Sequence, residues 1–308
     1  MPNTNDDIAR GLRQHPAQIS PKYFYDQRGS ELFEDITRLP EYYPTRTEAA
    51  IFSREMNDMA RAIGPVSTLV DLGAGNCEKA ARLFKAFRVR RYVAVDISTS
   101  YLRDSLACLQ REHPDMDMLG IGLDFSTRLA LPPEVGAGPR TLFYPGSSIG
   151  NFSPDAALSF LRQAHAASEG GALLIGVDLV KPIDVLEPAY DDPLGVTAAF
   201  NRNMLLHLNR LAGTDFDIAD WKHIAFFNAA KSRIEMHLEA QRDVSVSWSG
   251  GSRRFARRER MHTENSCKWR ADDFAGLLTR AGFSRLRRWT DERGWFAVFL
   301  AFAGSGDA

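Results

Sequence analysis

Cysteine is scarce in this 308-residue chain: Cys77, Cys108 and Cys267 form an odd, widely spaced set. With no CxxC pair and no His/Cys cluster, zinc ligation is not expected, and three distant cysteines give no disulfide framework. An excess of charge of either sign is also missing. The formal net charge is −1, so nothing draws the chain toward nucleic acid or an anionic membrane. The opening MPNTNDDIARGL has no apolar leader core, and no run approaches the ~20 apolar residues of a membrane helix. A heptad seam is absent too. These gaps predict a reduced, cytoplasmic, metal-free protein that is monomeric and binds neither nucleic acid nor membrane. One local exception is Arg253-Arg254-Phe255-Ala256-Arg257-Arg258-Glu259-Arg260, for which a solvated strand face or turn is expected.

Apolar residues are plentiful, at 44% of the chain, enough for a sizeable core. The middle alternates short apolar runs with helical stretches. Val66–Asp71, Arg91–Asp96, Met118–Leu123, Thr141–Pro145 and Gly171–Leu179 read as strands, several apolar almost throughout, as parallel strands covered on both faces require. Between them Glu78–Phe87, Thr99–Glu112 and Ser153–Ser168 read as helices, the last with Ser153 as N-cap and Pro154 behind it. Ala271–Ala281 is an amphipathic helix stopped by Gly282. Phe283–Trp289 and Trp295–Phe302 then form a hairpin that adds an antiparallel strand. The alternation predicts a right-handed, doubly wound α/β sheet. Its seven strands are similar to the Rossmann-like sheet of class I methyltransferases, whose last strand inserts antiparallel. The first ~50 residues and the stretch from about 183 to 267 do not alternate. In the latter, two helix candidates precede strand-like Ile234–Ala240 and a run near His262–Trp269. The expected division is 48–182 plus 268–308 for cofactor binding, and 8–47 plus 183–267 for a smaller α+β substrate domain.

The first strand ends in Asp71-Leu72-Gly73-Ala74-Gly75-Asn76-Cys77-Glu78-Lys79. Glycines there let backbone approach a ligand and open a helix behind it. A dinucleotide fingerprint would put glycine at position 78, where this chain has Glu78. Asp71 before the first glycine suits a cationic ligand better than a diphosphate. Asp96 ends the second strand, where a carboxylate accepts both ribose hydroxyls. Asp124-Phe125 ends the third and offers an acceptor and a flat apolar face for adenine. Together these fit S-adenosylmethionine, and they disfavour a nicotinamide-dependent oxidoreductase.

The segment Pro21-Lys22-Tyr23-Phe24-Tyr25-Asp26-Gln27-Arg28-Gly29-Ser30-Glu31-Leu32-Phe33, continued by Leu39-Pro40-Glu41-Tyr42-Tyr43-Pro44-Thr45-Arg46, closely resembles the signature of histidine N-α-methyltransferases of ergothioneine biosynthesis. Matches follow at Gly146–Phe152 (GSSIGNF), Ala189–Asp192 (AYDD), Phe200–Asn203 (FNRN), Arg233–Met236 (RIEM) and Thr263–Ser266 (TENS). The resemblance implies trimethylation of the α-amino group of L-histidine to hercynine. It places cofactor contacts on Gly73, Lys79, Asp96, Asp124 and Phe125. Histidine-binding positions fall on Tyr42, Asn151, Tyr190, Glu264 and Ser266, with Tyr25 and Phe33 as further pocket residues and Met236 paired with Glu264 in substrate choice. Asn151 and Tyr190 would hold the amino-acid end, and Tyr42, Glu264 and Ser266 the imidazole. Tyr25 and Asn151 are the expected catalytic positions; for Tyr25, ordering a water, helping remove a proton and shaping the pocket all remain open.

The chemistry agrees with that carry-over. Methyl transfer from a sulfonium needs an aligned amine lone pair and exclusion of water, which is positioning work. An Asn amide and a Tyr hydroxyl suffice for a carboxylate, and an imidazole wants one acceptor and one donor. Glu264 and Ser266, two apart, share a strand face and supply both. The glycine turn departs from the family's Gly-Ser-Gly-Thr by reading Gly-Ala-Gly-Asn, and Ser148 stands where Thr is often found. Two further readings are a tryptophan or other amino-acid N-methyltransferase, which a smaller residue at 236 and a shorter acid at 264 would favour, and a noncatalytic S-adenosylmethionine-binding module, which lost strand-end acids would favour.

Overall fold

A computed structural model of the chain describes residues 4–304. The first three residues of the opening stretch, and the last four of the expected cofactor domain, lie outside the described residues. Two compact units are present, Met1–Tyr43 with Lys181–Ser266 and Pro44–Val180 with Cys267–Ala308. In chain order the strands are β1 (Ala17–Gln18), β2 (Thr68–Leu72), β3 (Arg91–Asp96), β4 (Asp117–Gly122), β5 (Thr141–Tyr144), β6 (Ala172–Asp178) and β7 (Trp221–Asn228). They continue as β8 (Arg233–Ala240), β9 (Val244–Trp248), β10 (Gly251–Phe255), β11 (Arg260–Cys267), β12 (Arg285–Thr290) and β13 (Phe296–Phe302). Among the described residues no helix is long and apolar enough to cross a membrane.

The larger unit is built on one sheet of order β12-β13-β6-β5-β2-β3-β4. Strands β2 to β6 pair in parallel, and β13 runs antiparallel between β12 and β6. This is the class I methyltransferase arrangement expected. Alternation along the strands feeds two apolar layers. Val70, Val93 and Val95 enter one cluster with Leu142 and Phe160, while Leu69, Tyr92 and Ala94 enter the other with Phe87 and Phe143. A sheet buried on both faces has no polar face to spare, which is why its strands read as continuous apolar runs. Ser153 caps the helix Pro154–Ala167 by accepting from the Ala156 N–H, as expected.

The predicted helix Glu78–Phe87 is two short ones, Glu78–Ala81 and Phe84–Phe87. The Leu83 N–H donates to the Ala80 carbonyl (2.9 Å), a tightened turn that directs Leu83 and Phe84 into the apolar layer, with Phe84 5.0 Å from the Tyr92 ring.

The smaller unit carries a sheet of order β1-β11-β8-β7, with β9 and β10 as a separate hairpin. Strand β7 lies where no strand was expected. The hairpin turns through Ser249-Gly250, since Trp248 pairs with Gly251. The basic run departs in part from its expected solvated face. Arg254, Arg257 and Arg258 are exposed, but Arg253 is buried, donating to the Leu12 and Gln14 carbonyls and to Glu259.

Strand β11 breaks strict alternation: Thr263 and Glu264 are both buried. His262 and Asn265 thus share the other face and hydrogen-bond, Nε2 to Oδ1, at 2.9 Å. His262 stands edge-on to His237 (5.1 Å), which stacks flat on Phe226. Burial, and then the neighbouring His237, push His262 down to about 4. In the unfolded chain it titrates near 6.5. Between those values the unfolded state binds the extra proton, so this contribution is intact above about pH 6.5 and is lost as pH falls toward 4. His262→Gln, which keeps a donor for Asn265, is expected to reduce the loss between pH 7.5 and 5 by roughly 2 kcal/mol, at about 1.4 kcal/mol per unit. Urea melts of both proteins at pH 5 and 7.5 check this, and parallel losses would contradict it.

Candidate active site

The glycine turn is drawn by backbone bonds. The Gly73 and Ala74 N–H groups donate to the Val95 carbonyl at the end of β3 (2.8 and 3.1 Å), which bends the chain across the sheet's carboxyl edge. Gly73 and Gly75 take φ of +76° and +53°, a region that costs side chains dearly but not glycine. Asp96 secures the turn from the neighbouring strand. Its Oδ2 accepts from the Gly75 N–H (3.0 Å) and its Oδ1 from the Ser98 N–H (2.9 Å). Each carboxylate oxygen has two acceptor sites, so both retain capacity for a vicinal diol. Burial lifts the Asp96 pKa while those backbone donors pull it back. Phe125 packs edge-on to Tyr144 (5.8 Å) and comes within 3.9 Å of where a Gly73 side chain would begin. Asp124 accepts from the Ser126 N–H (3.0 Å) and hydroxyl. An acceptor for ribose and a flat ring beside bare backbone fit a nucleoside.

Asp71 is placed differently from expectation. It is 1% exposed and points into the apolar layer, where Oδ2 accepts from the Tyr92 hydroxyl (2.8 Å) and Oδ1 is buried with no hydrogen bond. Burial raises it to about 7; Tyr92 and Lys79 pull against that, Asp96 and Glu48 add to it. Its contacts are structural rather than aimed at a ligand.

Lys79 leads to a residue that sequence reasoning missed. Its Nζ donates to Glu48 Oε2 (2.7 Å), and Glu48 Oε1 accepts from the Gly146 N–H (2.7 Å). One buried carboxylate therefore ties the helix behind the glycine turn to the loop after β5. A side chain at Gly176 would collide with that Glu48 oxygen. The loop carries Asn151, half-buried at the end of the 3-10 turn Ser148–Asn151. Ser147 holds φ +57° there, and its Oγ accepts from the Asp178 N–H (2.8 Å). Asp178 in turn accepts from Lys268 Nζ (2.7 Å), both side chains being essentially inaccessible.

The remaining predicted residues gather in the smaller unit. Tyr25 meets Phe33 edge-on (5.8 Å), Phe33 meets Tyr42 (6.2 Å), and Tyr42 meets Tyr190 (6.2 Å). The Tyr190 hydroxyl then lies 2.7 Å from Ser266 Oγ. Phe200 backs this wall, 5.9 Å from both Tyr25 and Phe33. Glu264 is buried two residues before Ser266, and the Thr263 hydroxyl donates to the Met236 carbonyl (3.0 Å), joining β11 to β8. The other motif residues brace the wall. Asp26 caps the helix Gln27–Arg38 through the Gly29 N–H (2.7 Å) and accepts from Asn203 Nδ2 (2.8 Å) and Arg210. Asp192 caps Val196–Ala212 through the Val196 and Thr197 N–H groups. Among the predicted substrate positions only Asn151 belongs to the larger unit.

A seven-strand sheet with β13 reversed, and a glycine turn without the dinucleotide glycine, mark an S-adenosylmethionine-dependent methyltransferase. Residues 4–303 match the family described as histidine-specific methyltransferase, SAM-dependent. The chain belongs to that family. It is 43% identical to Histidine N-alpha-methyltransferase of Mycobacterium tuberculosis (strain CDC 1551 / Oshkosh), over 96% of this chain and 93% of that one. The protein of that name from Mycolicibacterium smegmatis is 41% identical over the same shares. Ergothioneine biosynthesis protein 1 of Neurospora crassa is 29% identical over 89% of this chain and 32% of that longer protein.

Proposed function

We propose that the chain transfers methyl groups from S-adenosylmethionine to the α-amino nitrogen of L-histidine three times, giving hercynine, a step of ergothioneine biosynthesis, as a cytoplasmic monomer. The observation that carries this reading is the continuous wall Tyr25–Phe33–Tyr42–Tyr190–Ser266 with buried Glu264 beside it, in a chain of the histidine-specific family. When bound, S-adenosylmethionine supplies an electrophilic methyl on its sulfonium. In each transfer a C–N bond forms as the S–C bond breaks, and the first two products shed a proton before the nitrogen can react again.

The larger unit is the cofactor domain. Asp96 accepts from the ribose hydroxyls, Phe125 covers the adenine, Asp124 accepts from its amino group, Gly73 admits the backbone approach and Lys79 holds the cofactor's carboxylate. The smaller unit is the substrate domain. Tyr190, with Asn151, holds the amino-acid end of histidine, while Glu264 accepts from the imidazole N–H and Ser266 and Tyr42 complete its hydrogen bonding. Met236 limits the room for the ring, and Phe33 and Tyr25 close the wall and exclude water from the amine.

Glu264→Ala is expected to weaken histidine binding by ~1–3 kcal/mol, the loss of a hydrogen bond to a charged acceptor in a buried site. The variant should leave affinity for S-adenosylhomocysteine unchanged. Calorimetric titration with both ligands checks it. Unaltered histidine affinity would remove Glu264 from the substrate site, and a gain in tryptophan methylation by the wild type over histidine would replace the substrate itself.

A further inference from the structure

We propose that His223, backed by Asn201, is a positioning residue that clamps the backbone of Tyr190 and so fixes the hydroxyl that meets the substrate; the inference rests on the role given to Tyr190 above. His223 sits on β7 with its side chain 2% exposed. Its Nε2 is 2.8 Å from the Tyr190 carbonyl oxygen, and its Nδ1 is 2.8 Å from Asn201 Nδ2. A carbonyl only accepts, so Nε2 carries the hydrogen. Asn201 Nδ2 also lies 3.0 Å from the His237 carbonyl, a second pure acceptor, which fixes the amide nitrogen rather than its oxygen on this side. That nitrogen donates to Nδ1, which must therefore offer a lone pair. The two contacts together admit one state, the neutral imidazole protonated at Nε2.

Burial lowers the His223 pKa and agrees with a neutral ring. The charged groups facing it are Asp191, 3.9 Å from Nε2, with Asp192 and Arg202 farther away. Tyr190 is otherwise a loop residue between the helices Ile183–Leu186 and Val196–Ala212, with its N–H on the Glu187 carbonyl. Asn201 belongs to the Phe200–Asn203 motif, so one helix turn sets both the aromatic backing, through Phe200, and the clamp. The imidazole hydrogen-bonds the Tyr190 backbone carbonyl, while the Tyr190 hydroxyl engages Ser266. His223 thus acts through Tyr190 and not on substrate.

His223→Phe keeps ring volume and removes both bonds; His223→Gln restores one donor and one acceptor. The expected result for His223→Phe is a histidine KM raised tenfold or more, with S-adenosylhomocysteine affinity within twofold of wild type, and recovery to within threefold in His223→Gln. An unchanged histidine KM in a folded His223→Phe, or no recovery in His223→Gln, overturns the clamp. Nitrogen NMR of 15N-histidine-labelled wild type tests it without a variant: a His223 ring protonated at Nδ1 at neutral pH overturns it, and an Nε2–H tautomer supports it. Tyr190→Phe separates the two levels. If it leaves the histidine KM unchanged, both the role of Tyr190 and the clamp fall. If it raises KM while His223→Phe does not, the clamp alone falls.

Discussion

Asp178→Ala is expected to cost ~3–5 kcal/mol, because it takes the paired carboxylate from a fully buried Lys268 ammonium. The Lys268 and Asp178 side chains are 0% and 1% exposed and 2.7 Å apart. Removing that carboxylate leaves the buried ammonium with its desolvation penalty and less attraction to offset it. For a chain of this size that corresponds to a melting midpoint lower by roughly 5–8 °C. Asp178 also closes β6 against β13, through the Asp178–Phe296 pairing, and its N–H holds Ser147 at the head of the Asn151 loop. Pairing the change with Lys268→Met, which removes the buried charge, is expected to restore most of the stability. Calorimetric melts of the single and double variants measure this. A single variant within 1 °C of wild type would mean that the pair is dispensable.

The second large effect is on the cofactor. Asp96→Ala removes a carboxylate that secures the glycine turn through Gly75 and, on the proposed reading, receives two ribose hydroxyls. Two hydrogen bonds to a charged acceptor, offset by water that fills the gap, put the loss at ~2–4 kcal/mol. That is roughly 30- to 1,000-fold in affinity for S-adenosylhomocysteine. Asp96→Asn keeps the shape and one acceptor per amide and is expected to fall between the two. Titration calorimetry settles the order. Equal affinity in all three would take Asp96 out of the cofactor site.

The sheet was legible because its signal is local. Strands covered on both faces are apolar runs, and β3 and the helix Thr99–Glu112 have the very ends expected of them. The hairpin β9–β10 was equally visible in principle, since VSVSW alternates in and out and Ser249-Gly250 makes the turn. Strand β7 was harder: WKHIAFFN has no clean period of two, and most of it is only half-buried. The break after Ala81 was invisible, because the sequence there is helix-forming and the tightened turn answers to Tyr92 in a different strand.

The site divides in the same way. Gly73, Asp96 and Phe125 announce themselves by lying at or just past strand ends. Asp71 follows the same rule yet turns inward, because its place in β2 alternates with Val70 and Leu72 and so faces Tyr92. Glu48 has no local mark at all, lying mid-helix with partners 31 and 98 residues away. A faint pointer did exist in Gly176: a glycine inside an apolar strand often records the close approach of something else. His223 gave no more than a lone histidine on a strand. Its meaning comes from Asn201 and the Tyr190 carbonyl.

The most direct test is the product made from histidine. Purified protein given L-histidine and excess S-adenosylmethionine should yield N-α-trimethylhistidine by mass spectrometry, with three equivalents of S-adenosylhomocysteine released per histidine consumed. Histamine, which lacks the carboxylate, should be a poor substrate by comparison. Histidine recovered without a single added methyl, while S-adenosylmethionine is bound, would contradict the reading outright.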